Sequence, residues 1–525
     1  MMGFKALLLV LAALFVCFES GSAAAENVVR WATPLPADSF DPYGHDELLT
    51  IWVERQVYET LIDYDRDGRP EPGLAVSWKQ VDALTWDMEL RQGVAFHDGA
   101  PFTSADVIFS LERAKAETSV HREAMSAIAG VEAVDADTVR FTAATATPIP
   151  WEDLSWLYIM SKVWAERHGA ALPSQLGDDR WDYVEMHANG TGPFMLEEFE
   201  PGERTVLVRN ADWWGLAQRP HNIDRIVQSR VDDPARGAAL LLAREIDLLQ
   251  SPSPDQLELI AATPGLKIQK AETNQTLYLG FDQASPELES SNVKGRNPFA
   301  DRRVRHAVYQ GIDIGRIVDA LHGLAVPAGM LIWPKGIGWS EELDRRLPYD
   351  PGKAKALLAE AGYPEGFEVR FDCPAYREPV CSTIGASLEE IGIQVDVALL
   401  PAPKVGEMIQ TRTTDLFYWG YAETFDSISP LKNRYRSGAE FAGTGYANPE
   451  VDALIDQIGG QMITYARDAL IEQVWHKVLG DVVYIPLYRP INAWALRADL
   501  DLPISIMIGG PPEFRDARYT TPPAQ

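Results

Sequence analysis

The sequence predicts an α/β fold, and three stretches of its 525 residues carry that prediction. In the first, Phe367, Val369 and Phe371 alternate with Glu368, Arg370 and Asp372, a helical stretch runs to Gly392, and Ile393, Val395, Val397 and Leu399 resume the alternation. That is a β-α-β unit, whose crossover is expected to be right-handed. In the second, Trp86, Met88 and Leu90 stand against Asp87, Glu89 and Arg91, the period of two that buries one face of a strand. The third, residues 353–361, is the clearest helix: Asp350 can cap it, Pro351 suits its first turn, and Gly362 with Pro364 ends it.

From the N-terminus, Lys5 precedes an apolar run over residues 6–18, and residues 20–25 are small and polar, ending Ala23-Ala24-Ala25 before Glu26. This reads as a secretory signal over residues 1–25, cut after Ala25. The run is too short to span a bilayer, and no later stretch approaches ~20 consecutive apolar positions. Cys17 raises a lipoprotein alternative, ranked below simple cleavage because Cys17 sits inside the apolar run and follows Val16, where lipid attachment wants a small residue. Lys5 and Glu19 cancel, so losing the segment leaves the formal charge at −29. Such acidity argues against nucleic acid or anionic lipid as partner, since either would repel the protein. The length exceeds one compact core at ~100 to 200 residues per domain, and 46% hydrophobic residues suffice for two or three.

Further along, His97-Asp98-Gly99 supplies a turn, and Thr103-Ser104-Ala105-Asp106 is a capping box ahead of a helix running from Val107 towards Ala116. After Pro220 the signals change from β-rich to α/β. In residues 301–323, Val304, Ala307, Val308, Ile312, Ile317 and Leu321 form a helical stripe broken near Gly311, which gives two short helices. Residues 467–479 read as a helix and residues 482–487 as a strand. The sequence shows no internal repeat and no low-complexity segment.

Once Cys17 leaves with the signal, Cys373 and Cys381 stand alone in an oxidising compartment and are expected to form a disulfide. Closing FDCPAYREPVC in this way is worth roughly 2 to 3 kcal/mol in the loop-entropy model. A two-cysteine metal site competes, but no histidine lies near and C-x7-C is not a zinc spacing. Residues 63–68, DYDRDG, copy the start of a calcium-binding loop, yet its twelfth position is Leu74 and Pro70 and Pro72 disrupt the next turn, so a polar turn is expected. Histidines are scattered, and the sequence carries no nucleophile elbow and no phosphate-binding loop. No cofactor, metal or catalytic residue is therefore assigned.

The order within residues 57–109, from strand through GVAFHDG to TSADV and a helix, strongly resembles family 5 of the periplasmic solute-binding proteins that feed ABC importers, the peptide/nickel-binding family with its dipeptide and oligopeptide binders. Further matching blocks come in family order: NGTGPFMLEEFEPGE, NPFADRRVRHAV, LPYDPGKAKALLAEAGYPEGF, IGIQVDVALL, GYANPEVDALID and VVYIPLY. The resemblance implies two α/β lobes closing over a ligand, with the chain crossing between them twice. Lobe I would take residues 26–57, 165–272 and 490–525, an extra subdomain residues 58–164, and lobe II residues 273–489. It also implies a monomeric periplasmic receptor, not an enzyme, that delivers a small solute to an inner-membrane permease with its ATPase subunits.

The resemblance further places ligand against residues 415–435. In the family's peptide binders this region reads Gly-Trp, two further residues, then an aspartate that pairs with the ligand's α-ammonium group, as a desolvated cation requires. Here Gly420 and Tyr421 take the Gly-Trp places and the aspartate position falls on Thr424, with Glu423 and Asp426 flanking it. A di- or oligopeptide is the leading ligand class, with an oligosaccharide or opine-like solute close behind; Trp419, Tyr421 and Phe425 would stack on sugar faces or line side-chain pockets, or else fill core. Tyr43, His45 and Asp46 in SFDPYGHDE, Asn274 and Tyr278 in NQTLYLGF, and Arg434 as a carboxylate clamp complete the candidate ligand residues. The reading of another class is a secreted hydrolase using Asp46 and Glu423 as paired carboxylates.

Overall fold

The computed structural model describes residues 26–45, 47–65, 69–145, 154–174, 181–334, 336–422, 425–439, 442–461, 463–506 and 510–521. The expected signal segment with Cys17, and the candidate residues Asp46, Glu423 and Thr424, lie outside these. No helix among the described residues is long and apolar enough to cross a membrane.

Alternating apolar residues form strands because the period of two turns one face of the strand to the core, and most strands join one twelve-stranded mixed sheet among the described residues. From one edge it runs Ile393–Leu400, Phe367–Pro374, Leu416–Ala422, Gln275–Phe281 and Tyr484–Arg497. It continues through Leu248–Gln250, Val28–Thr33, Arg225–Arg230, Arg204–Arg209 and Phe194–Glu200. The β-α-β unit stands as expected: Phe367–Pro374 pairs in parallel with Ile393–Leu400, and the helix Glu378–Glu389 joins them. Asp350 caps the helix Pro351–Glu360 by accepting from the Lys353 amide, and Thr103 and Asp106 make the capping box of Ser104–Ala114. The stripe broken near Gly311 is two helices, Arg302–Gly311 and Ile314–Ala320.

One strand exceeds its sequence signal. Residues 482–487 are only the start of Tyr484–Arg497, a 14-residue strand that passes through Pro490. Proline lacks an amide donor and reads as a strand end; here the Pro490 carbonyl accepts from the Thr273 amide at 3.0 Å, so the backbone stays paired across it. The two halves of this strand serve different partners. Gly280 to Leu277 lie opposite Tyr484 to Tyr488, whereas Leu266 to Glu272 lie opposite Arg497 to Ile491. The chain therefore passes between two bodies at two adjacent places, near residues 273–274 and 489–490.

The apolar core divides at the same place. One cluster joins Val29, Trp31, Trp494 and Leu496 with Met88, Val107 and Phe141 of the four-stranded antiparallel sheet and its helix, so that sheet and helix share a core with the N-terminal strands. Two others gather residues between Leu277 and Tyr488 on the opposite faces of the strands at the other end of the large sheet. In NGTGPF, Gly192 donates its amide to the Val57 carbonyl at 2.9 Å, and a Cβ there would lie 2.7 Å from that oxygen, so the close approach requires glycine. Asp63 and Tyr64 belong to a short hairpin with residues 70–72, and the Asp63 carboxylate is occupied by Arg55 at 2.8 Å and by Arg515.

Candidate functional site

Where the two bodies meet, a cavity of about 820 Å³ opens beside the double crossing. The first body contributes Leu48, Tyr64, Trp156 and Pro254, the second Leu321, His322, Arg377 and Phe425, and the crossing itself Asn274, Gln275, Tyr488 and Asn492. These walls are mainly apolar, as in ligand cavities generally, with a few polar groups to orient a guest. Among the described lining residues there is no carboxylate. Among the described lining residues the fixed positive charge is Arg377.

Arg377 sits on a loop closed by the Cys373–Cys381 disulfide, the bridge expected from the sequence. Its guanidinium stands 5.0 Å from the centroid of the Tyr376 ring, and its buried Nε has no hydrogen-bond partner among the described residues. Burial works against its charge, but Tyr418, Tyr488 and Tyr376 outweigh burial and hold its pKa above the ordinary arginine value. Tyr488 is further tied to Tyr418, hydroxyl to hydroxyl, at 2.7 Å. A half-buried cation in a mainly apolar wall, with no carboxylate among the described lining residues, is suited to an anionic group of a guest, and a guanidinium grips a carboxylate through two parallel bonds.

The candidate residues divide sharply by position. Asn274 lines the cavity, whereas Glu423 and Thr424 are outside the described residues. Trp419 and Tyr421 do not line it. On the strand Leu416–Ala422 they alternate with Gly420 and Ala422, so the register that turns Ala422 to the cavity turns them to the other face, where Arg434 lies 4.8 Å above the Tyr421 ring. Tyr278, opposite Trp419, is fully buried on that same side, and its hydroxyl accepts from Arg434 at 2.6 Å. Arg434 is thus engaged with tyrosines away from the cavity.

Asp426 is 1% exposed and pairs with Arg467 at 2.8 Å while accepting from the Ile428 amide. Tyr43 is fully buried with its hydroxyl on the Tyr158 carbonyl, and His45 lies between Glu47 at 3.3 Å and Glu185 at 3.4 Å. Sequence reasoning misses Arg377, His322 and Trp156. The one signal near Arg377 is the loop CPAYREPVC, in which the cysteines alone carry a pattern.

Residues 69–442 match the family model described as bacterial extracellular solute-binding proteins, family 5 Middle. The chain belongs to that family. It is the solute-binding class of ABC transporters, whose members are receptors and not enzymes. The chain is 27% identical over 479 residues to heme-binding protein A of Haemophilus influenzae, covering 83% of this chain and 82% of that one. It is likewise 27% identical over 432 residues to the glutathione-binding protein GsiB of Salmonella typhi, covering 79% and 80%. The periplasmic binding protein DppA of Helicobacter pylori, solved with the peptide STSA, superposes with a TM-score of 0.73 at 22% identity, covering 95% of this chain and 99% of that one. This family-5 chain has the two-lobed α/β fold of periplasmic binding proteins.

Proposed function

We propose that this receptor captures a peptide-type solute bearing a free carboxylate, that Arg377 anchors that carboxylate, and that lobe closure seals the solute in the cavity beside the double crossing. The observation that carries the reading is a guanidinium in a mainly apolar wall without a carboxylate partner among the described residues. A half-buried charge without a carboxylate partner is only partly solvated, so a guest that neutralises it gains more than contact area alone supplies. Asn274 and Gln275 would meet the ligand main chain, Tyr64 and Trp156 its apolar side chains. Glu423, which flanks the family's aspartate position in sequence, is our candidate partner for an α-ammonium group. The relatives whose names specify glutathione and a peptide make carboxylate-bearing peptides the first class to try.

The lobe division rests on the split core and the double crossing: residues 26–57, 165–272 and 490–525 as lobe I with residues 58–164 as its subdomain, and residues 273–489 as lobe II. We further propose export through the signal-like segment 1–25, cleavage after Ala25, a monomeric mature chain, and delivery of solute to an inner-membrane permease and its ATPase.

Native mass spectrometry of the purified mature chain, followed by a thermal-shift panel, tests the ligand class. A bound ligand at ~100 times its Kd adds ~2.7 kcal/mol of stability, enough to move the melting temperature. Peptides with free carboxylates should raise it, and Arg377→Gln should weaken them by about 10- to 100-fold, the worth of a charge-assisted pair. Shifts by disaccharides or opines with none by peptides would replace this ligand class, and turnover without stable binding would replace the receptor reading.

A further inference from the structure

We propose that the Cys373–Cys381 disulfide is a positioning element of the ligand site, which fixes the Arg377 guanidinium in the cavity wall before a ligand arrives. The inference rests on the reading of Arg377 as the ligand's anion anchor. Little else among the described residues holds that loop. The strand Phe367–Pro374 has two neighbours, but its pairing with Leu416–Ala422 covers only Phe371 and Asp372, and beyond them Cys373 and Pro374 pair on one side alone, with Leu399 and Leu400. The chain then leaves the sheet through the single turn Ala375–Arg377 and enters the helix Glu378–Glu389, at whose N-cap position Arg377 makes no side-chain capping bond. Tyr376, the ring beneath the guanidinium, is itself 69% exposed.

Against this loose surround, both sulfurs are fully buried, one on the sheet and one on the helix. The ring they close contains Arg377 and Pro379, both cavity-lining residues. A long side chain that must be ordered during binding subtracts from affinity, and one ordered beforehand does not. Without the bridge the turn would keep, among the described residues, its two chain ends and the Arg377 neighbours Tyr418 and Tyr488, and the guanidinium, lacking a carboxylate partner among the described residues, would be held less firmly in the wall. The bridge therefore acts on the anchor: its removal should weaken ligands through their carboxylate and leave apolar contacts as they are.

The test uses the mature full-length chain with an equimolar tetrapeptide library, offered as free acids and as C-terminal amides, with retained peptides quantified by mass spectrometry. Wild type, Arg377→Gln and the double variant Cys373→Ala/Cys381→Ala are compared. The wild type should retain free acids over amides. The double variant should lose about tenfold of that preference while keeping its hold on the amides, a selective loss that a general weakening of the fold does not produce. An unchanged acid-to-amide ratio in the double variant, with the ratio collapsed in Arg377→Gln, overturns the positioning role and leaves the anchor standing. Equal loss of acids and amides in the double variant also overturns it, because the bridge then serves the fold as a whole. A wild-type ratio in Arg377→Gln, or no retention by the wild type, overturns the anchor and the inference together.

Discussion

Arg113 closes on Asp41 through two hydrogen bonds of 2.6 and 2.7 Å, and neither side chain has any exposed surface. Asp41 also accepts from the amides of Tyr43 and Ser174, while Arg113 donates to the carbonyls of Ala170 and Leu172. The pair thus pins the loop that carries Tyr43 and His45 to the helix Ser104–Ala114 and to the chain near residue 172. Removing one partner leaves a buried charge uncompensated, so Asp41→Asn should cost about 3 to 5 kcal/mol in chemical denaturation. A loss under 1 kcal/mol would show that the pair is not holding the loop.

His97 gives the protein an acid-sensitive site. Burial holds its imidazole down at about 4, against smaller opposing effects of the Gly192 carbonyl and Asp98. The unfolded chain, with histidine near 6.5, takes up a proton first as pH falls, so the stabilisation is complete above pH 6.5 and is lost on the way down to pH 4. The full span is on the order of 3 kcal/mol. His97→Gln should flatten the stability curve in that window, measured as the difference from wild type at each pH. Parallel curves for the two proteins would remove His97 as a source of acid sensitivity.

Glu54 has the opposite sign. Its two carboxylate oxygens are buried without a hydrogen-bond partner among the described residues, and burial, reinforced by Asp41 and Glu47 and opposed by Arg113, raises its pKa well above the usual range. The folded state binds this proton more tightly than the unfolded one. Its contribution is therefore complete below pH 4.5 and is lost as pH rises past that value. Glu54→Gln, which keeps shape without the charge, should match wild type at pH 4 and exceed it in stability at pH 8. A variant less stable than wild type at pH 8 would mean that the carboxylate is stabilised by a partner.

The elements that could be read from sequence are those whose cause is local. The alternation of Phe367, Val369 and Phe371, the Thr103–Asp106 capping box and the Asp350 cap all rest on neighbours within a few residues, and all stand in the fold. What escaped depends on distant partners. Arg515, which occupies Asp63 of the calcium-like turn, lies 452 residues away in sequence. The strand Leu416–Ala422 is packed on both faces, so its composition could not say that Ala422 faces the cavity and Trp419 and Tyr421 do not. A lone arginine in a loop carries no periodicity at all, and Arg377 became visible only when the fold brought a cavity to it.

Asp426 separates a structural carboxylate from a ligand-binding one. Its pairing with Arg467 is almost wholly buried, with side chains 2% and 4% exposed. Ser427 beside it accepts from the Trp475 indole at 2.8 Å and donates to the Ile337 carbonyl at 2.6 Å, so the segment is tied to the helix Thr464–Gly480 and to the chain near residue 337. Asp426→Asn should then destabilise the protein by about 3 to 5 kcal/mol. At a temperature where the variant is still folded, it should bind peptides with free and with acetylated N-termini in the same ratio as wild type, since the carboxylate it loses faces Arg467 and not the cavity. A changed ratio at undiminished stability would return Asp426 to the ligand site.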